Sequence, residues 1–380
     1  MKLIYIANTR LPSEKANSYQ TMQMCESFSK VFDSVELWTG KSRNTKELKE
    51  VKDIFGYYGL NKIFRIRRFF QYDSYILGHT NEWLWANLRG VVFSINTCIH
   101  LIKYRESNDL IVYTRVWNVL FIFNLLKKLK ILNVPIFYEA HRFSKRLVNQ
   151  QKKTNGLVVI NQYLANLYKK NNIKSIFVAH DGVNIDLYEK IGDYQFDSNK
   201  TEINILYTGS LFAWKGVETL VDAMEFLPEK YRLVCIGGSG KYLQDFKEYV
   251  GDKKECDRIK IIGHMPKIEL LKFVEKADVL VLPNSAKDKM SLYTSPIKLF
   301  EYMASKRPIV ASDLPSIKEV LSDNNAYFFT PDNARKLAIK IEEATVKDCG
   351  SKVENAYKSV EHYTWDNRAK NIAKFLTNNA

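Results

Sequence analysis

The sequence predicts two α/β domains, each built on a doubly wound parallel sheet. Three observations predict it. Apolar runs of strand length alternate with stretches of helical spacing, as parallel sheets with crossover helices require. The alternation occurs in two series, separated by a polar stretch. The chain has 380 residues, too many for one ordinary core and well suited to two. Sheets of this kind bind ligands beyond the carboxyl ends of their strands.

The elements follow in order. "KLIYIAN" and "SVELWTG" read as strands, with "YQTMQMCESFSKVF" between them at helical spacing. "LIVYTRV", "NVLFIFNLLKKLKI", "VPIFYEAH", "GLVVIN", "YLANLYKKN" and "SIFVAHDGV" continue the first series. The second series is cleaner. "INILYTG" leads to "GVETLVDAMEFL", "YRLVCIGG" to "KYLQDFKEYV", and "IKIIGH" to "KIELLKFVEKA". "DVLVLPN" then leads to "SPIKLFEYMAS", "RPIVASD" to "LPSIKEVL", and "AYFFT" to "NARKLAIKIEEAT". The join is expected after "HDGVNIDLY", in the polar "EKIGDYQFDSNKTE". There are no internal repeats and no low-complexity tract.

Composition narrows the class. Hydrophobic residues make up 46% and charged residues 26% of the chain, a globular balance. The five cysteines, Cys25, Cys98, Cys235, Cys256 and Cys349, show no CxxC spacing. They read as free thiols in a reducing compartment, not as a zinc site or a disulfide frame. The opening "MKLIYIANTRLP" carries an apolar run that stops at residue 7, a first strand rather than a signal peptide.

The charge is uneven. Residues 1–180 hold 28 Lys and Arg against 12 Asp and Glu, whereas residues 181–380 hold 29 against 30. The whole excess of +15 therefore lies in the first half. Such a half suits an anionic partner, nucleic acid or an acidic membrane, or else it is a plain solvated surface. Residues 83–102, "WLWANLRGVVFSINTCIHLI", are long enough to span a bilayer, but Asn87, Arg89, Asn96 and His100 interrupt them. The stretch reads as an interfacial amphipathic helix or a core helix, two cases that periodicity cannot separate. Trp83 and Trp85 at its start, with Arg65, Arg67 and Arg68 in the nearby "KIFRIRRFF", are the candidate membrane contacts.

Three turns of the second half favour anions. In "YTGSLFAWKGVETLV", Gly209 permits close backbone approach, the helix after Gly216 offers free N–H groups, and Lys215 adds a cation. "CIGGSGKYL" supplies a second glycine-rich turn around Gly238, a weak signal by itself. In "SPIKLFEYMA", Pro296 sits near the first helical position, and Lys298 and Glu301 share a helix face. A phosphate at the helix end and a ribose one turn later would fit one nucleotide. The competing reading is an ordinary surface ion pair. Three such turns at strand ends of one domain favour the nucleotide.

These segments carry a resemblance. "YTGSLFAWKGVETLVDAM", "GHMPKIELLKFVEKADVLVLP", "YTSPIKLFEYMASKRPIVASDLPSIKEVL" and "YTWDNRAKNIAKFL" resemble the donor domain of retaining GT-B glycosyltransferases of the family numbered four, the group 1 glycosyl transferases. "LPSEKANSYQTMQMCESFSK", "YEAH" and "HDGVNIDLY" resemble that family's segments in the first half, so the likeness covers nearly the whole chain. It implies two Rossmann-like domains facing a cleft, with an acceptor domain over 1–182 and a donor domain over 183–363. A closing helix, 364–380, would pack back on the first. Glu301 resembles the second Glu of the family's Glu-x7-Glu element, on the donor ribose, while the first falls at Tyr293. Thr294, Ser295 and Pro296 would then position the donor sugar. Lys215 matches the lysine on the diphosphate. The arginine usual just after the glycine is Ser210 here, so Lys298 would help supply the charge. His141 matches the acceptor-domain histidine near the transferred sugar. Asn17 and Ser18 stand where the family has its glycine-rich loop.

The resemblance implies a glycosyltransferase, and its basic, aromatic first half suits a cytoplasmic enzyme that is peripheral on the inner face of the cell membrane. It would move a sugar from a nucleotide-diphosphate sugar to a hydroxyl of a lipid-linked or surface-polysaccharide precursor, with retention. No DxD carboxylate pair stands out, so no metal and no resident cofactor are expected. Two alternatives remain: a sugar-nucleotide epimerase on the same fold, and a noncatalytic nucleotide- or nucleic-acid-binding relative. No helix-turn-helix, RNP-like or zinc pattern supports nucleic acid.

Overall fold

The computed structural model describes residues 1–44, 46–71, 82–195, 197, 199–346 and 349–380, with the side chains of 46, 47, 82, 83 and 86 excepted. Two compact units divide the chain: Met1–His180 with Trp365–Ala380, and Asp181–Thr364. The division thus falls two residues before the sequence-based boundary. "EKIGDYQFDSNKTE" is no linker, since Ile191, together with Tyr188 just before it, is buried in the core of the second unit.

The first unit holds a seven-stranded sheet in the order β3-β2-β1-β4-β5-β6-β7. Its strands are β1 (Lys2–Ile6), β2 (Ser34–Gly40), β3 (Arg65–Phe69), β4 (Leu110–Thr114), β5 (Ile136–Ala140), β6 (Gly156–Val159) and β7 (Ile176–Val178). Its helices are α1 (Ala16–Phe28), the short α2 (Lys46–Lys49) and α3 (Ile54–Tyr57), α4 (Glu82–Leu101), α5 (Trp117–Lys128), α6 (Val148–Gln151) and α7 (Gln162–Lys170). Every pairing is parallel. β4 is buried along its whole length, as a strand covered on both faces must be.

The second unit holds a six-stranded parallel sheet, β10-β9-β8-β11-β12-β13. The strands are β8 (Ile203–Thr208), β9 (Tyr231–Ile236), β10 (Ile259–Ile262), β11 (Val279–Leu282), β12 (Ile309–Ser312) and β13 (Tyr327–Phe329). The helices are α8 (Val217–Ala223), α9 (Gly240–Gly251), α10 (Lys267–Lys276), α11 (Ile297–Ala304), α12 (Pro315–Lys318), α13 (Ala334–Val346) and α14 (Gly350–Val360). Alternation along β11 builds two core layers: Val279 and Val281 enter one with α8 and α13, Leu280 and Leu282 the other with α11 and α14.

α15 (Trp365–Asn379) belongs to the first unit, where it packs on α1. Asp366 anchors it, accepting from Ser27 and pairing with Lys30. The strand order reverses between β1 and β4 and between β8 and β11, and these switch points locate the ligand-binding ends of the sheets.

"KIFRIRRFF" contains the edge strand β3, so the candidate membrane contacts Arg65, Arg67 and Arg68 lie on a strand. Strand periodicity therefore separates its arginines. Arg67 lies over the Trp38 and Phe69 rings, whereas Arg68 points to the other face and donates to the Leu11 carbonyl. The 83–102 run forms most of α4. No helix among the described residues is long and apolar enough to cross a membrane. Trp85 is half-buried, and the Trp83 side chain lies outside the described residues.

Candidate functional site

At the carboxyl end of β8 the backbone turns through Gly209, at φ +131°. Its N–H donates to the Ile236 carbonyl of β9. Gly237 follows β9 at φ +130°, and a Cβ there would come within 2.1 Å of the Gly209 carbonyl. The two strand ends meet as bare backbone. Gly238 packs on Leu211. The Ser210 carbonyl accepts from the Tyr207 hydroxyl, so the turn is tied to its own strand.

Lys298, on the first turn of α11, enters beneath this turn. Its Nζ stands 3.8 Å from the Tyr207 ring centroid and 3.7 Å from where a Gly209 Cβ would be. The residue is 8% exposed, and its Nζ has no hydrogen-bond partner among the described residues. Burial pushes its pKa well below the ordinary lysine value, and the charge of nearby Lys215 adds to the effect. Lys215 lies with Nζ 3.8 Å from the Trp214 ring centroid, and burial lowers its pKa to about 7. Gly216 fixes its position: φ is +66°, and a Cβ would meet the Pro283 carbonyl oxygen at 1.9 Å. Two lysines are thus held close together, and among the described residues no carboxylate pairs with Lys298. Buried charge of this kind is costly until an anion arrives.

Asn284, just past β11, is fully buried, and neither its Oδ1 nor its Nδ2 has a partner among the described residues. Sequence reading missed it, because one Asn after a strand carries no spacing signal. Ser295 is buried with its hydroxyl already accepting from the Asp181 N–H, and Thr294 is buried beside it. Pro296 occupies the position before the first helical residue rather than that residue itself. Glu301 does not pair with Lys298. Its carboxylate pairs with Lys267, at the start of α10.

The second cluster belongs to the first unit. Glu139, on β5, is 1% exposed. It accepts from the Tyr5 hydroxyl at 3.0 Å, from Gln20 at 3.4 Å, from His141 Nε2 at 3.1 Å and from Arg368 at 2.8 Å. Burial acts to raise the Glu139 carboxyl, but Arg368, His141 and Arg115 together hold it well below the usual carboxylate range. Burial likewise lowers His141 to about 4, with the Arg115 charge adding to it. His141 is therefore neutral at pH 7, with Nε2–H given to Glu139 and Nδ1 left as an acceptor. Arg368 reaches this site from α15 and also donates to the His180 carbonyl. Glu139 and Arg368 were absent from the sequence-based candidates, and 229 positions separate them.

Asn17 is exposed in the first turn of α1. Ser18 is 1% exposed and turned inward: its N–H bonds the Lys15 carbonyl, and its hydroxyl bonds Thr9 and the Arg10 carbonyl. Ser18 thus braces the loop, and its groups are not presented outward. No group of three or more His, Cys, Asp or Glu among the described residues could hold a metal ion.

Known proteins resemble this chain in both sequence and fold. Residues 202–345 match the family described as glycosyl transferases group 1. The uncharacterized glycosyltransferase MJ1607 of Methanocaldococcus jannaschii is 30% identical over 228 residues, which cover 53% of this chain and 55% of that protein. The O-antigen chain mannosyltransferase RfbU of Salmonella typhimurium is 26% identical over 193 residues, covering 50% and 52%. The matches thus span about half the length of these relatives. Among solved structures, Anabaena HepE in complex with UDP-glucose superposes with a TM-score of 0.70 at 15% identity, over 100% of both chains. That likeness is one of fold. Residues 202–345 accordingly resemble the glycosyl transferases group 1 family, in a chain that has the GT-B fold.

Proposed function

We propose that the chain is a glycosyltransferase that takes a sugar from a nucleotide-diphosphate donor and passes it to an acceptor hydroxyl with retention. The carrying observation is Lys298, buried beneath the Gly209 turn with no hydrogen-bond partner among the described residues and close enough to Lys215 for their charges to interact. A donor diphosphate would be the missing countercharge. The leaving diphosphate gains negative charge as the glycosidic bond breaks, and fixed cations aimed at it stabilise that transition state. Two lysines can do this without a metal.

In a retaining transfer the acceptor attacks the face from which the diphosphate departs, through an oxocarbenium-like state. Neutral His141, held by Glu139 through Nε2, would offer Nδ1 to a hydroxyl of the sugar or acceptor. Glu301 and Asn284 would serve the donor's ribose and neighbouring polar groups.

The acceptor side of the proposal is a lipid-linked or surface-polysaccharide precursor at the cytoplasmic face of a membrane. Two things support it: the basic first half, and the O-antigen mannosyltransferase among the relatives. The test is calorimetry against a panel of nucleotide diphosphates and their sugars, followed by product analysis with and without acceptor. Donor turnover that needs an acceptor supports transfer. Epimerised donor formed without acceptor would favour the epimerase, and no binding of any nucleotide would end the proposal.

A further inference from the structure

We infer that the outer face of α4 and α5 is the surface through which the first unit docks on an anionic lipid membrane. This deepens the membrane part of the reading above and rests on it, while standing apart from the donor site.

The outer side of α4 is apolar where a surface helix is ordinarily polar. Its buried side carries Gly90, Phe93, Ser94, Thr97, Cys98 and Leu101, with the Ser94 and Thr97 hydroxyls bonded to carbonyls of the same helix. Its outer side carries Leu88, Val91, Ile95 and Ile99, all exposed. That spacing makes one continuous stripe. The buried side is packed by Phe93, Cys98 and Leu101 among smaller and hydroxylated residues, and branched aliphatics also face outward. An ordinary amphipathic helix is polar on that outer side.

α5 packs against α4, and right-handed crossovers place both on one face of the sheet. It exposes Phe121 and Leu125, and Leu129 continues that helical spacing just past its end, with Ile131 beyond. Leu125 is 55% exposed and Leu129 58%. Among the described residues, nine of the eighteen exposed large hydrophobic side chains sit on these two helices or just past α5. Such concentration marks an interaction surface rather than scattered surface apolar residues.

The charge around the face names the occupant. Residues 82–104 and 117–131 contain one carboxylate, Glu82 at the start of α4, against Arg89, Lys103, Lys127, Lys128 and Lys130. The end of α5, "LLKKLKI", interleaves exposed aliphatics with lysines. Apolar side chains that enter the acyl boundary, rimmed by cations that meet anionic headgroups, are the signature of interfacial helices. A second copy of the chain would bring two net-basic faces together with little countercharge. The β3 arginines are the poorer candidates, being split across two faces of a strand.

The test is flotation of the full chain with vesicles of phosphatidylcholine alone and with phosphatidylglycerol added. The wild type should float only with the anionic vesicles, and less so as salt rises. Leu125→Glu with Leu129→Glu should lower partition at least tenfold. Lys127→Glu, Lys128→Glu and Lys130→Glu together should remove the preference for anionic lipid. Arg65→Glu with Arg68→Glu should bind like the wild type. Unchanged melting temperature and nucleotide-diphosphate affinity would show that the variants fold and that the donor reading is untouched. Normal flotation of the Leu125/Leu129 variant would overturn the assignment of this face. A wild type that floats with neither vesicle would overturn the membrane reading as well. A wild-type dimer that the leucine variant splits, with no flotation, would make a second copy the occupant instead.

Discussion

Lys298 Nζ sits 3.8 Å from the centroid of the Tyr207 ring, and no carboxylate, carbonyl or hydroxyl among the described residues accepts from it. The ring offers its negative face, a weak substitute for a counter-ion. A cation held this way is prepared for an anion that comes from outside the chain.

Proton uptake on nucleotide binding should follow. Lys215 has its pKa lowered to about 7, and Lys298 is lowered too. A bound diphosphate favours the charged form and raises both values again. Binding at pH 8 should therefore take up protons, measured as a dependence of the calorimetric enthalpy on the buffer's ionisation heat. Without ligand, both lysines bind fewer protons folded than unfolded between about pH 7 and the usual lysine value near 10.4. Ligand-free stability should rise with pH through that window. Proton-neutral binding at pH 8 would remove the lysines from the diphosphate.

Lys215→Ala should cut turnover about a hundredfold at saturating donor, roughly 3 kcal/mol of lost transition-state stabilisation, with the melting temperature unchanged. Steady-state kinetics with the donor found by calorimetry would check it. An unaltered turnover number would take Lys215 out of the reaction.

Glu301→Gln separates two roles. If the carboxylate holds ribose hydroxyls, donor affinity should fall by about 1.5–3 kcal/mol. If it only pairs with Lys267, Glu301→Gln and Lys267→Met should lower the melting temperature alike and leave donor affinity unchanged. We expect the first result.

Glu139→Gln should destabilise the first unit by about 3–5 kcal/mol, because Arg368 then keeps a buried charge without its carboxylate. Acid should act in steps. His141 and His180, both lowered to about 4 by burial, take up protons more readily when unfolded, so stability falls between about pH 6.5 and 4. The contribution of Glu139, present above its ordinary range, is lost further down as the depressed carboxyl protonates. Melting temperatures at pH 7, 5.5 and 4.5 measure this, and a flat profile would contradict it.

Gly216→Ala should lower both stability and donor binding. Its Cβ would strike the Pro283 carbonyl at 1.9 Å in a backbone with φ +66°. Strained backbone of this type costs about 1–3 kcal/mol before the clash is counted. Thermal unfolding and calorimetry on the purified variant would show whether the turn tolerates a side chain.

Local signals determined much of this protein. Strand runs and helical spacing are short-range patterns, so most strands of both parallel sheets, the glycine turns after β8 and β9, and the positions of Lys215, Lys298 and Glu301 could be read along the chain, though not the arginine-rich edge strand β3. What each group faces could not. Lys298 and Glu301 are three apart on one helix, yet Lys298 turns under Gly209 and Glu301 goes to Lys267, because packing of α11 on the sheet sets their directions. Arg65, Arg67 and Arg68 look like one basic cluster until β3 pairs with β2 and its pleat separates them. Periodicity shows that α4 has two sides without saying which meets the core. The sheet decided that, burying Ser94 and Thr97 and leaving Ile95 and Ile99 outside. Glu139 and Arg368 meet only because the last helix returns to the first unit, a long-range closure that no local pattern encodes.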